Sequence, residues 1–230
     1  MSGAEEWRGV LEVAQLSDLA ARLRKYFATV AAAYSFFFYG TVVASYWLAV
    51  AAISFLIEAW ENLYYWILAV LAMIPVLLLA GLLSATTAPK ACSKTWRQRG
   101  RLMGPAFGLA FSLAYIIAGA LSPSLLSVAW YPALALGYLL VYLLIEREAY
   151  RRGEVAARPF LASGVSALVT TPLVAYVAMQ CLQAGWMLAL SLMLASHSTA
   201  AFAALRGAAR TLEARGGREG GEVRGPPAGG

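Results

Sequence analysis

The chain has 230 residues, of which 61% are hydrophobic and 13% charged, and its mean hydropathy is +0.66. Soluble domains carry about 25% charged residues, so this composition excludes a soluble globular domain. The net charge of +6 calls for no nucleic acid, because topology accounts for where the positive residues stand. One histidine, two cysteines and no Cys-x-x-Cys disfavour a single-chain zinc or iron–sulfur site, and phosphate-cradling glycine motifs are absent, so no cofactor is expected.

In chain order, residues 1–29 form a first unit. Val10, Val13, Leu16, Ala20 and Leu23 recur at spacings of three and four with charges between them, which predicts an amphipathic helix over Ala4–Lys25. Two readings stay open for it: a helix lying in the membrane interface, or a docking helix for a cytosolic partner, as in a transporter permease. The apolar run from Tyr26 to Ile57 then overshoots the bilayer, at about 48 Å as a helix. Either the helix tilts, or Gly40 in Phe38-Tyr-Gly-Thr41 marks a bend.

Residues 30–205 hold six apolar runs near the length of about 20 residues that a crossing needs. They fall at Tyr34–Ile57, Leu63–Ala85, Met103–Leu121, Leu125–Ile145, Phe160–Cys181 and Gln183–Leu205. The expected fold is therefore all-α: a polytopic membrane protein of six transmembrane helices in three hairpins, preceded by the amphipathic interfacial helix. Residues 206–230 are expected to form a flexible cytoplasmic tail, in which the glycine, proline and charge of Arg215–Gly230 leave nothing to bury.

All eighteen Lys and Arg residues lie in four segments: before the first span, between the second and third, between the fourth and fifth, and after the sixth. With six crossings these segments share one side, and the positive-inside rule predicts a cell-membrane protein with both termini cytoplasmic. Trp60, Tyr64, Tyr65, Trp66, Trp130, Tyr131 and Trp186 cluster by the opposite, short connections, where amphipathic rings favour the headgroup level. The first apolar run exceeds the about 7–15 residues of a signal-peptide core, so no signal peptide is expected. Cys92 and Cys181 fall on opposite sides of this topology, about 30 Å apart, which excludes a disulfide between them.

Helices pack in lipid through small residues spaced by four. Gly104, Gly108 and Ser112 supply such a face on the third span, Ala162, Ser166 and Thr170 on the fifth, and Ser196, Ala200 and Ala204 on the sixth. The last two spans are joined by a very short turn and must be antiparallel neighbours. Counted from their inner ends, Ser166 lies about 9 Å deep, His197 about 12 Å and Thr170 about 15 Å. This depth match predicts an intramembrane polar cluster of His197, Ser166, Thr170, Thr171, Ser196 and Ser198, joined by Ser163 and Thr199, with His197 bonded to Ser166 or Thr170. The carbonyl freed by Pro172 adds an acceptor nearby.

No acidic or basic residue lies within the six cores, which disfavours a carboxylate relay. The leading expectation is a membrane subunit of a transport system or a small-solute carrier, with lipid, other membrane subunits or a cytosolic protein as partners. The alternative is a non-transporting assembly protein. An intramembrane enzyme using Ser166 and His197 as nucleophile and base ranks third. A water-lined cavity favours transport, and a dry bundle with an exposed small-residue face favours assembly.

Overall fold

The computed structural model describes residues 2–87 and 94–213. Cys92, and the tail beyond residue 213, lie outside them. The described residues are helical throughout their ordered elements, with no strand among them. Eight α-helices follow one another among the described residues: α1 (Ser2–Leu56), α2 (Leu63–Thr87), α3 (Lys94–Arg99), α4 (Met103–Leu121), α5 (Trp130–Val141), α6 (Arg147–Arg151), α7 (Pro159–Gln180) and α8 (Leu182–Glu213).

Among the described residues four helical stretches are long and apolar enough to cross a membrane: Val13–Leu56, Lys94–Leu121, Pro159–Gln180 and Leu182–Glu213. Leu63–Leu79 is a shorter apolar helix. Between α5 and α6 the turn Tyr142–Glu146 is π-helical, so residues 130–151 run as one helix with an inserted bulge. That bulge hides the length of the element from a count of α-helical residues alone.

Two sequence expectations change at the chain ends. The amphipathic segment and the first apolar run are one helix of 55 residues, about 80 Å long, and it continues through Gly40. At the other end α8 reaches Glu213, so residues 206–213 are helical instead of belonging to a flexible tail.

The longest helix contact is between the two ends of the chain, α1 against α8. From there α8 packs on α7, α7 on α5, and α5 on α4, while α2 leans on α1 at the edge. The core is built from small side chains, as close backbone approach in an apolar medium requires. Ala33, Ala44 and Ala51 of α1, Ala133 and Ala135 of α5, and Ala189, Ala201 and Ala204 of α8 are all essentially inaccessible. Many of the larger aliphatic side chains lie outside, Leu68, Leu78, Ile116 and Val169 among them. This inversion of the soluble pattern is what lipid as solvent predicts.

On α4 the packing face differs from the expected one. Ala106, Ala110, Ala114 and Ala118, again spaced by four, are buried against the bundle. Gly104, Gly108 and Ser112 face outward, and among the described residues nothing beyond the surrounding turn of α4 lies within 4 Å of where a side-chain carbon on either glycine would stand. Both faces satisfy the same spacing rule, and the flanking Phe107 decides between them by lodging over Gly137 of α5, which has no side chain to exclude the ring. On α8 the expected Ala200 and Ala204 do face the core.

Candidate functional site

His197 is 2% exposed and sits where five helices converge. Its ring lies against Gly40 of α1, where any side chain would occupy the same space. Phe36 of α1 stacks on it with ring centroids 4.6 Å apart and planes 16° apart. Tyr138 of α5 meets it edge-on at 5.3 Å. Phe107 of α4 and Phe160 of α7 close the box around Tyr138, at 5.7 and 5.8 Å.

The hydrogen bonds determine the state of the imidazole. Nδ1 lies 2.8 Å from the Met193 carbonyl one turn back on α8, and a carbonyl only accepts, so Nδ1 carries the proton. Nε2 is then the acceptor, and the Tyr138 hydroxyl donates to it at 2.7 Å. A neutral imidazole has one donor and one acceptor, and both are engaged. His197 is thus a satisfied core residue that ties α8 to α5.

The expected bond from His197 to Ser166 or Thr170 is therefore replaced by one to Tyr138. Ser166 is exposed, on the outward side of α7. Thr170 donates to the Ser166 carbonyl at 2.9 Å. Having used its proton there, it accepts from the Tyr131 hydroxyl at 2.7 Å. Tyr131 and Tyr138 stand seven residues apart on one face of α5, reaching α7 and α8 respectively.

The remaining hydroxyls bond mainly along their own helices. Thr171 donates to Ala167 O at 2.8 Å, Ser196 to Met193 O at 2.9 Å, and Thr199 to Ala195 O at 2.8 Å. Ser163 crosses from α7 to the Ser196 carbonyl at 3.3 Å, and Ser198 faces Thr41 of α1 at 3.5 Å. The predicted cluster is thus divided into separate bridges. No hydrogen bond joins Ser166 to His197, so the structure assembles no nucleophile–base pair there. Tyr138→Phe removes the donor to Nε2 and leaves a buried acceptor unpaired. A loss of about 0.6–2 kcal/mol in unfolding free energy is expected, checked by denaturation in detergent.

A second polar site lies at the basic end of the bundle. Glu146, the last residue of the π-helical turn, is 2% exposed. Its two carboxylate oxygens accept the backbone N–H groups of Phe160 and Leu161, each at 3.1 Å. Helix α7 begins at Pro159, which has no N–H, so these are its first two donors. The bulge shifts the following residues by one position and leaves its own carbonyls less regularly bonded. Arg99 donates to one of them, Leu144 O, at 3.1 Å.

Around this point the connections are tied together. Glu154 accepts from Thr95 N at 3.0 Å and from Thr95 Oγ1 at 3.1 Å. Thr29 of α1 accepts from Ala156 N at 2.9 Å. Burial pushes the Glu146 carboxyl up to about 7, while the two amide bonds and the nearby Arg158 oppose that rise.

Among the described residues no group of three or more His, Cys, Asp or Glu is placed to hold a metal ion. In comparisons with protein-family models, curated proteins and solved structures, nothing matches this chain. The functional reading therefore rests on geometry.

Sequence reasoning missed Tyr131, Tyr138 and Glu146. Their signals were present: two tyrosines seven apart on one apolar helix, and an acid before an Arg158-Pro159-Phe160 helix start. Tyr131 reads as an interfacial aromatic and Tyr138 as apolar filler until the neighbouring helix is known.

Proposed function

We propose that this chain is an integral membrane protein of six crossings whose role is assembly with other membrane polypeptides, through the outward Gly104–Gly108–Ser112 face of α4. Six crossings follow from adding Leu63–Leu79 and the apolar part, residues 130–145, of the continuous helix that ends at Arg151 to the four longer stretches. The α1–α2, α4–α5 and α7–α8 contacts support three hairpins in series. Such a count keeps the basic segments together and agrees with both termini in the cytoplasm.

The single observation that carries the assembly reading is the open space over Gly104 and Gly108. In lipid, small residues spaced by four let a second helix approach closely, and close packing is what drives helices together there. The exposed apolar stripe of α1, with Val10, Val13, Leu16 and Leu23, supports a further contact at that helix. Transport is the competing reading. It draws on the imidazole and hydroxyls within the spans, and their internal bonds favour a static bundle over a relay.

Gly108→Leu is the test. The side chain enters open space, so the isolated bundle should keep its stability within about 0.5 kcal/mol. Association in membranes, followed by crosslinking or by energy transfer between labelled chains and co-purifying proteins, should fall sharply. Unchanged association with unchanged stability removes this face from the proposal.

A further inference from the structure

An open groove of about 690 Å³ runs between α1 and α8 on the flank of the bundle. Ala33, Tyr34, Phe37 and Phe38 form one wall, and Phe202 and Arg206 belong to the other. Tyr34 and Phe38 stack at 5.6 Å and make the α1 wall a continuous aromatic surface. We infer that this groove binds one anionic phospholipid, with an acyl chain along the aromatic wall and the phosphate at Arg206.

Chemistry along the groove sets the orientation of the occupant. The two helices run antiparallel, so Phe38 and Ser198 belong to the deep end of the groove and Ala33 and Arg206 to its mouth. At the deep end the hydroxyls are already committed: Thr199 donates within its own helix and Ser198 faces Thr41. Nothing there asks for a polar ligand group.

At the mouth stands Arg206, a cation with no ion pair among the described residues. Arg210 follows one turn further along α8, on the same side and beyond the groove, also without an ion pair among them. Among the described residues no carboxylate lines the groove, so its mouth offers an anion the Arg206 guanidinium, with that of Arg210 one turn beyond, and offers a cation nothing. Arginine pairs with phosphate in a bidentate, charge-assisted manner.

Dimensions agree with a lipid. From Ser198 to Arg206 the groove extends about 12 Å along the helix axis, close to the depth of one leaflet of a hydrocarbon layer about 30 Å thick. Its volume lies within the range of about 300–1,000 Å³ of small-molecule sites. It also opens sideways along its length, which lets a chain enter from the bilayer without crossing a headgroup.

The test uses the full chain purified in mild detergent, with phosphatidylglycerol and phosphatidylcholine of identical acyl chains as probes and native mass spectrometry as the readout. One phosphatidylglycerol per chain is expected, held about tenfold more tightly than phosphatidylcholine. Arg206→Gln combined with Arg210→Gln, both at the surface, should abolish that preference. Ala203→Phe places a ring in the groove from an exposed position, and should prevent retention of either lipid without shifting the melting temperature. Equal retention of the two lipids by the unaltered chain overturns the inference. So does a preference that survives loss of both arginines, or a dimer closed over this face with no lipid bound. Should Ala203→Phe unfold the bundle, broadening of a spin-labelled phosphatidylglycerol signal by the unaltered chain, lost in the double arginine variant, decides the matter instead.

Discussion

Gly40→Ala should lower the unfolding free energy by about 3 kcal/mol, although alanine is intrinsically the better helix residue by about 1 kcal/mol. The added methyl would occupy the space of His197 Cδ2 and Cγ. That ring cannot retreat. Phe36 covers one face at 4.6 Å, and its nitrogens are tied to Tyr138 and to the Met193 carbonyl. Relief requires either breaking those bonds or parting α1 from α8, the longest helix contact in the molecule. The cause is isolated by pairing the change with His197→Ala. Gly40→Ala should cost at least 1–2 kcal/mol less in that background, roughly the coupling seen between residues in contact. Equal costs in both backgrounds would show that Gly40 serves the backbone and not the ring. Melting in detergent measures all four proteins.

This pair also shows where the sequence stops being informative. Helical class, membrane-compatible stretches and the α7–α8 pairing were legible because they depend on composition, period and loop length. The α1–α8 contact joins residues at opposite ends of the chain, and no local pattern announces it. Without that contact Gly40 reads as a helix-bending residue and His197 looks for a partner on its nearest neighbour, α7. Depth counting places Ser166, Thr170 and His197 within about 6 Å of one another along the helix axes. It carries no information on rotation about the helix axis, and rotation puts Ser166 outside. The two small-residue faces of α4 illustrate the same gap. Glycine spaced by four and alanine spaced by four are equally good contacts, and only the partner's shape, here Phe107 over Gly137, chooses between them.

The carboxyl of Glu146 should make stability fall as pH rises from about 5 to about 7. Burial holds it up to about 7 in the folded protein against an ordinary value of 4.5. The folded state therefore binds more proton than the unfolded state between those values, and stability declines with pH over that window before levelling above it. The separation corresponds to a change on the order of 3 kcal/mol. Glu146→Gln should remove the slope. Its amide resembles the protonated acid, keeping one acceptor for the Phe160 and Leu161 amides, so the variant should approach the low-pH stability of the parent at every pH. Glu146→Leu should remove the slope too, but at a cost of about 2–5 kcal/mol, because both N–H groups that open α7 lose their acceptor inside the bundle. Denaturation midpoints of the three proteins between pH 4.5 and 8 separate these outcomes. If the decline persists in Glu146→Gln, some other group is the source. If Glu146→Leu is as stable as Glu146→Gln, the carboxylate is not what holds the start of α7 against the π-helical turn.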